Sequence, residues 1–459
     1  MEQFEVLVIG SGSGMLVASA AVEQGFKTAL VEHGKMGGTC INVGCVPSKM
    51  LIYPTEIIAN TKEADRVGIH ATINSVDFNK IMTRMHTLVD HDSGHQANAV
   101  ENTPNLTWFK GTGEFTSDYT MQVGADIITA KVIFIVSGAR AATPTLKGIE
   151  NVGYLTSDTV LELQKPPQSI IIVGGGYIGM EYCHFFSSVG TKTTIVQRPL
   201  RILPDEEPEV SDLLQLELAK RLEIYTGYEA FEAKEQGNMK MVVAKNRQDN
   251  TQKEFTAEEI MVATGRVSNS NILKPEKTGV KLDEHGFIKV DKYLQTSKKN
   301  IYAFGDAIGK QMFKHVANHE AGIAWHNAIH DHKVEMDYSA APHAVFTHPQ
   351  VASVGLKEEE AKLLKGKILV GRALYRDTAM GAAMGYPEGF VKVIVDHDTG
   401  KVLGGHIIGP EASILIQEIV NAMVSETGNF ALIAQAMHIH PALSEVVQNA
   451  FGNLHEHDS

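Results

Sequence analysis

Residues 5–32 read EVLVIGSGSGMLVASAAVEQGFKTALVE, and the pattern of this stretch decides the fold. An apolar strand runs into Gly10, Gly12 and Gly14, a helical pattern follows, and a second apolar strand ends at Glu32. Turn glycines let a backbone approach a pyrophosphate, the helix start offers free N–H groups, and a terminal acid accepts hydrogen bonds from a ribose. The stretch therefore predicts a dinucleotide-binding unit, with an ordinary glycine-rich turn as the alternative.

The same pattern returns at residues 169–198, SIIIVGGGYIGMEYCHFFSSVGTKTTIVQR. Here Gly174, Gly176 and Gly179 complete the spacing G-x-G-x-x-G, whereas Met15 takes the place of the third glycine in the first unit. Two such units about 160 residues apart predict two cofactors, one of them FAD and the other a nicotinamide dinucleotide.

The second strand of the second unit ends with Gln197 and Arg198 instead of an acid. An acid there favours the free 2′-hydroxyl of NAD, and a neutral residue with arginine suits the 2′-phosphate of NADP. We expect NADPH, with NADH as the alternative. The alternative interpretation of Arg198 is a solvated loop cation.

In three further segments an apolar strand runs into a glycine close to the expected nucleotides, namely KVIFIVSGARAATP, EIMVATGRVSN and NIYAFGDA. A backbone N–H and a carboxylate at the end of the last segment suit a ribityl or phosphate group. The remaining candidate cofactor contacts are Thr39, Gly113, Ser137, Gly138, Gly265, Arg266, Gly305 and Asp306.

Residues 37–49, GGTCINVGCVPSK, hold two of the three cysteines in the chain. A close pair in a reducing compartment is typical of redox activity or metal binding. A disulfide that closes so short a loop adds little stability, and no further ligands follow at a matching spacing. Cys45 precedes a helical pattern, and a helix start lowers the pKa of a thiol. We therefore interpret Cys40 and Cys45 as a dithiol–disulfide pair, and we predict no metal site.

Near the C-terminus, AMHIHPALSEVV places Glu445 five residues after His440. A histidine oriented by a carboxylate is the usual general acid–base arrangement. A surface histidine that caps a helix is the alternative.

The composition describes an ordinary globular protein of 459 residues with a formal net charge of −13, which argues against nucleic acid binding. No apolar run is long enough for a membrane span and the N-terminus lacks a secretory pattern, so we expect a cytoplasmic protein. The predicted domains are the first part of an FAD domain (1–154), a nicotinamide-nucleotide domain (155–268), the return segment of the FAD domain (269–335) and an interface domain (336–459).

The segments GGTCINVGCVPSK, GGGYIGME, ATGR, FGDA and HIHPALSE occur in the order found in flavin-dependent pyridine nucleotide–disulfide oxidoreductases, which the chain resembles over essentially its whole length. The resemblance implies an α/β fold with two Rossmann-like dinucleotide-binding domains and a C-terminal α+β dimerisation domain. It also implies a homodimer that binds FAD and NAD(P)H and acts on a small disulfide.

The resemblance assigns roles to the candidate catalytic residues. Cys40 matches the thiol that meets the substrate, and Cys45 matches the thiol that contacts the flavin. Lys49 and Glu181 match an ion pair near the reactive nitrogen of the flavin. His440 and Glu445 match the acid–base dyad, which in this class reaches the active site of the partner subunit.

Within the class, ATGRVSNSNIL, FKHVANHEAG and AVFTHPQVASVGL are most similar to mycothione reductases. HPALSE and the general layout also resemble dihydrolipoamide dehydrogenases, which use NAD within 2-oxo acid dehydrogenase complexes and usually carry an acid at the position of Gln197. Mercuric reductases share the cysteine segment, but their C-terminal cysteine pair is absent from FGNLHEHDS. A structural flavoprotein with an idle redox pair is the remaining alternative.

Overall fold

The computed structural model describes residues 1–364, 366–385 and 388–456. It divides the chain among three main sheets, and one of the buried cores contains residues of both the second and the C-terminal sheet. The helices and strands of the N-terminal part are β1 (Glu2–Ile9), α1 (Gly14–Glu23), β2 (Thr28–Glu32), α2 (Gly38–Asn42), α3 (Cys45–Lys62), α4 (Phe78–Glu101), β3 (Leu106–Lys110), β4 (Gly113–Ser117), β5 (Thr120–Val123), β6 (Asp126–Ile135) and β7 (Ala139–Ala141).

The first sheet has seven strands, in the order β3-β2-β1-β6-β5-β4 with one further strand beside β6. Strands β3, β2, β1 and β6 run parallel, and β4, β5 and β6 form an antiparallel meander. Leu7 and Val8 of β1 are fully buried in a core that also contains residues of α1 and of the antiparallel meander. The predicted strand–turn–helix–strand unit is therefore present at residues 2–32.

The elements of the second unit and of the segment after it are α5 (Ile149–Val152), β8 (Ser169–Val173), α6 (Tyr177–Ser188), β9 (Lys192–Gln197), α7 (Pro208–Leu218), β10 (Glu223–Thr226), β11 (Tyr228–Gln236), β12 (Met239–Asn246), β13 (Gln252–Ala257), β14 (Glu259–Val262), β15 (Arg266–Ser268), β16 (Ile301–Ala303) and α8 (Lys314–Ile329). The second unit forms a parallel sheet in the order β10-β9-β8-β14, next to a three-stranded antiparallel sheet.

Strand β16 pairs with β6 of the first sheet, so the chain returns to the first sheet after completing the second. The chain passes from the first part to the second after β7 and returns at β15, and these two crossings are joined because β7 and β15 pair with each other. The division at 154/155, 268/269 and 335/336 stays our proposal for the domain limits.

The elements of the C-terminal part are β17 (His343–Val345), β18 (Gln350–Gly355), α9 (Glu358–Ala361), β19 (Ile368–Leu374), α10 (Ala379–Ala383), β20 (Phe390–Asp396), β21 (Val402–Gly409), α11 (Ala412–Met423), α12 (Ala431–Ala434), α13 (Glu445–Gly452) and β22 (His455–Glu456). Its strands form a six-stranded antiparallel sheet in the order β17-β18-β21-β20-β19-β22, packed against helices.

No helix within the described residues is long and apolar enough to cross a membrane.

Candidate active site

The two glycine turns share one geometry, packed at the first glycine and open at the second. A Cβ atom on Gly10 would lie 2.2 Å from the carbonyl oxygen of Val136, and one on Gly174 would lie 2.3 Å from that of Ala263. Cβ atoms on Gly12 or Gly176 would meet nothing within 4 Å. Each turn thus packs against a neighbouring strand crossing and leaves space over the helix N-terminus, where a pyrophosphate fits.

The residues that end the second strand of the two units, Glu32 and Gln197, hold their glycine turns in similar ways but differ in charge. The Glu32 carboxylate is buried and accepts hydrogen bonds from the Ser11 N–H at 2.9 Å, the Ser11 hydroxyl at 2.8 Å and the Gly34 N–H at 2.8 Å. At the corresponding place in the second unit, Gln197 Oε1 accepts the Gly175 N–H at 2.8 Å. The glutamine therefore keeps the contact that holds the glycine turn but carries no negative charge.

Buried polar atoms at both crossings lack hydrogen-bond partners. Within the described residues, Ser137 Oγ and Arg266 Nε are buried and have no hydrogen-bond partner. Arg266 Nε lies 3.7 Å from Asp306 Oδ2, so the second crossing meets the FGDA segment. Burial raises the pKa of Asp306, and Arg266 opposes this rise. Unpaired buried donors beside open glycine turns fit the polar groups of bound dinucleotides.

The contacts of the other candidate cofactor residues do not by themselves indicate a bound cofactor. Gly138 follows β6, and Gly305 donates its N–H to Glu320 Oε2 at 2.7 Å. Gly113 opens β4, where an added Cβ would meet Met121 Sδ at 2.4 Å, and its role as a cofactor contact stays a prediction. Thr39 lies in α2, one residue before Cys40.

The two cysteines lie on adjacent helices and are hydrogen-bonded as free thiols. Cys40 is half-buried on α2, and Cys45 is the first residue of α3 and is exposed. No side chain caps α3 at Gly44, so the positive end of the helix faces the Cys45 sulfur. The sequence-based expectation that Cys45 lies at a helix start is thus confirmed.

The surroundings divide the two thiols into an acidic one and a non-acidic one. The hydrogen bond from Cys40 and then the charge of Lys49 lower the pKa of Cys45 to about 7, against opposition from desolvation and Glu181. The same hydrogen bond, together with burial, raises the pKa of Cys40, whereas the charge of Lys314 lowers it. Cys45 is therefore the thiol that carries negative charge near neutral pH.

The ion pair predicted between Lys49 and Glu181 is present. Lys49 Nζ lies 2.8 Å from Glu181 Oε1 and 2.7 Å from Oε2, and the carboxylate is buried. Lys49 follows Cys45 by one helical turn, so the ammonium and the sulfur share one face of α3. Helix α6 supplies the carboxylate from the second dinucleotide unit, so the pair joins the two units beside the thiols.

The proposed acid–base dyad is assembled on the C-terminal part. His440 Nδ1 lies 2.8 Å from Glu445 Oε1, and Glu445 Oε2 accepts the Ala442 N–H at 3.0 Å. The hydrogen bond with His440 is the largest cause of the lowered pKa of Glu445. The side chain of His440 is 73% exposed, and its hydrogen bonds within the described residues do not involve the cysteine segment.

Comparison with known proteins agrees with this geometry. Residues 4–329 match the model of the pyridine nucleotide-disulphide oxidoreductases, and residues 341–451 match their dimerisation domain. The chain belongs to this family. It is therefore an enzyme, a flavoprotein disulfide oxidoreductase that uses FAD and NAD(P)H, and the dimerisation domain supports a homodimer.

Relatives extend over nearly the whole chain. A mycothione reductase of Mycobacterium tuberculosis is 34% identical over 99% of this chain and all of its own length. A dihydrolipoyl dehydrogenase of Bacillus subtilis is 31% identical over 98% of this chain and 97% of its own. The HOCl-induced flavoprotein disulfide reductase RclA of Escherichia coli has a TM-score of 0.87 at 26% identity, over 98% of this chain and 99% of its own. These matches confirm the predicted α/β fold with its dimerisation domain.

Three residues that contact the thiol site or the helix that carries it were not among the sequence-based candidates. Lys314 begins α8 and donates to Ser13 Oγ at 3.0 Å, and its charge acts on both cysteines. A lysine at a helix start opposes the helix dipole, which is the signal that singles it out in the sequence. Phe346 and His348 lie on a hairpin loop of the C-terminal part. Only the tertiary structure brings them to α3, so no local sequence signal indicates these contacts.

Proposed function

We propose that the enzyme passes electrons from NADPH, through FAD and the Cys40–Cys45 disulfide, to a low-molecular-weight disulfide of the mycothione type. The observation that carries this proposal is the arrangement of the site, in which Cys40 and Cys45 lie on adjacent helices and the Lys49–Glu181 ion pair lies one turn further along α3. An acidic thiol holds charge beside the cofactor, and a neutral thiol needs a base before it attacks the substrate. Bound FAD supplies the two-electron link between the nicotinamide and the disulfide.

The remaining steps belong to the chain's own residues. In the reduced enzyme, Cys40 loses its proton and attacks one sulfur of the substrate, which releases the first product thiol and forms a mixed disulfide. Cys45 then attacks Cys40, which releases the second thiol and restores the Cys40–Cys45 disulfide. We assign the proton transfers to His440, held by Glu445. Because His440 is exposed on its own subunit, we propose that it serves the thiols of the partner subunit in the homodimer.

The choice of NADPH is supported by Gln197. Its side chain replaces a carboxylate and still holds the glycine turn at Gly175. Arg198 is 68% exposed and only 3.9 Å from Glu229 Oε1, a loose pair that leaves the guanidinium available to a 2′-phosphate. Both features favour the phosphorylated nucleotide.

We propose the cytoplasm as the compartment in which the enzyme acts.

A second candidate is an NAD-linked dihydrolipoamide dehydrogenase of a 2-oxo acid dehydrogenase complex. It is favoured by relatives of that name, such as the Chlamydia muridarum enzyme, which is 33% identical over 97% of this chain. The two candidates predict opposite nucleotide preferences and opposite directions of electron flow.

Initial rates separate the candidates. We expect NADPH oxidation with mycothione or glutathione disulfide to be faster than NAD reduction with dihydrolipoamide, and the reverse order would favour the second candidate. Cys45→Ser should abolish disulfide turnover with FAD still bound, whereas Cys183→Ser, at the buried third cysteine, should leave it unchanged. Full turnover in Cys45→Ser would contradict the mechanism.

A further inference from the structure

The loop between β17 and β18, residues 346–349, enters the junction between α3 and α6. Its first residue makes two contacts with the ion pair beside the thiols. The Phe346 N–H donates to Glu181 Oε1 at 3.1 Å, and the Lys49 ammonium lies 4.4 Å from the centre of the Phe346 ring. One residue thus contacts both the cation and the anion of the pair.

A second set of contacts holds this loop in place. His348 is buried, with Nδ1 3.2 Å from Glu56 Oε1 and Nε2 3.2 Å from Glu63 Oε2. Burial alone would lower the pKa of His348, but the two carboxylates outweigh it and raise the pKa to about 9. The imidazolium is therefore charged at neutral pH and bridges the loop to α3.

The two sets of contacts act along one face of α3. Lys49 and Glu56 are seven residues, two helical turns, apart and so lie on the face of α3 that begins at Cys45, and Glu63 directly follows the end of this helix. The carboxylates that hold His348 therefore also fix the rotation of the helix that presents Lys49.

Helix α6 also contacts the loop, through His184. His184 lies one turn after Glu181, its ring stacks 6.4 Å from His348, and its Nε2 lies 2.9 Å from Thr55 Oγ1 on α3. Burial lowers the pKa of His184 well below its usual value, so the ring is neutral beside the charged His348. The loop is thus fixed to both helices, one turn beyond the ion pair.

We propose that Phe346 is a positioning residue, through which the interface domain holds Lys49 and Glu181 in place beside the Cys45 sulfur. An ammonium held over an aromatic face is restricted in position and favoured as a cation. Its effect on a neighbouring thiolate depends on that position, since the interaction falls with distance. The ring therefore acts on Cys45 through Lys49, without touching the sulfur.

This inference rests on the proposed function, because it assigns a purpose to the acidity of Cys45. The groups that act on Cys45 come from four helices, and a test must leave all but one unchanged. They are Cys40 on α2, Lys49 on α3, Glu181 and Tyr177 on α6, and Lys314 on α8.

The test compares Phe346→Leu with Phe346→Tyr in the FAD-loaded enzyme after two-electron reduction. Iodoacetamide alkylation rates across pH, with the Cys45 peptide followed by mass spectrometry, give the pKa of that thiol. We expect Phe346→Leu to raise it by less than the about one unit expected when the Lys49 charge is removed, because Lys49 keeps its charge but loses the ring that holds it in position. Phe346→Tyr restores the ring and should titrate like the wild type. Phe430→Leu, the same change where the ring contacts Phe451, is the matched control and should have no effect.

An unchanged Cys45 pKa in Phe346→Leu, or an equal rise in Phe346→Tyr or Phe430→Leu, would overturn the inference. If Phe346→Leu does not fold, Phe346→Met removes the ring with less loss of volume and is judged by the same outcomes. Wild-type turnover is measured in parallel. An acidic wild-type Cys45 without disulfide turnover would contradict the proposed function alone, whereas turnover with an unaltered titration in Phe346→Leu would contradict this inference alone.

Discussion

Replacing Lys49 with methionine should raise the pKa of the Cys45 thiol and slow its chemistry at neutral pH. The Cys45 pKa is about 7, so about half of the thiol is ionised at pH 7. Lys49 lowers this pKa, and Glu181 opposes it. Removal of the cation raises the pKa directly, and it also leaves the buried Glu181 carboxylate unpaired, which acts in the same direction.

The size of the effect follows from the charge that is removed. An opposite charge within about 4–6 Å shifts a pKa by about 1–3 units, and the smaller value applies because the Lys49 side chain is 37% exposed. A rise of about one unit reduces the ionised fraction of Cys45 at pH 7 from about a half to about a tenth. We therefore expect about a fivefold loss of alkylation rate at pH 7, and almost none about two units higher, where the thiol is ionised in both proteins.

The assay is iodoacetamide alkylation of the reduced, FAD-loaded enzyme across pH, with the Cys45 peptide quantified. Lys35→Met serves as the control, because Lys35 is also close to the cysteines in sequence but pairs with Asp90 at 2.8 Å on the surface. The double variant Lys49→Met with Glu181→Gln should lie between Lys49→Met and the wild type. A Cys45 pKa in Lys49→Met equal to that of the wild type would refute the reasoning.

Three further predictions concern other parts of the site. Gln197→Glu should lower kcat/KM for NADPH by about tenfold and leave NADH less affected, because a like charge near the 2′-phosphate costs about 1.4 kcal/mol; parallel kinetics with the two nucleotides measure this. Lys314→Met should slow alkylation of the Cys40 peptide at a fixed pH, because it removes a charge that favours the Cys40 thiolate, and mass spectrometry of that peptide measures the loss. Glu445→Gln should slow disulfide turnover by at least about tenfold while flavin reduction by NADPH keeps its rate, because only the orientation of His440 is lost; stopped-flow and steady-state rates separate the two steps.

The parts of the site that the sequence could predict are those that depend on local geometry. The Gly10 and Gly174 turns, the start of α3 at Cys45 and the apolar strands beside them follow from spacing within about 30 residues. The Lys49–Glu181 pair joins distant segments, and only the resemblance to a family made it predictable.

Contacts between residues that only the tertiary structure brings together could not be predicted from the sequence. Phe346 lies in a segment whose pattern gives a strand and a turn, and nothing local indicates that its ring meets Lys49. His348 and its carboxylate partners are likewise separated by almost 300 residues, and each alone is typical of a surface group.

The two thiols need cations for different reasons, and the fold supplies them from different helices. Lys49 on α3 lowers the pKa of Cys45, whereas Lys314 at the start of α8 lowers that of Cys40. Because α3 belongs to the first part of the chain and α8 to its return segment, neither segment completes the dithiol site alone. Lys314 forms no ion pair within the described residues and lies at the positive end of its helix, where an ammonium is unfavourable. The charge of Lys314 lowers the pKa of Cys40 and acts on Cys45 as well, so a neutral side chain at this position should disfavour both thiolates.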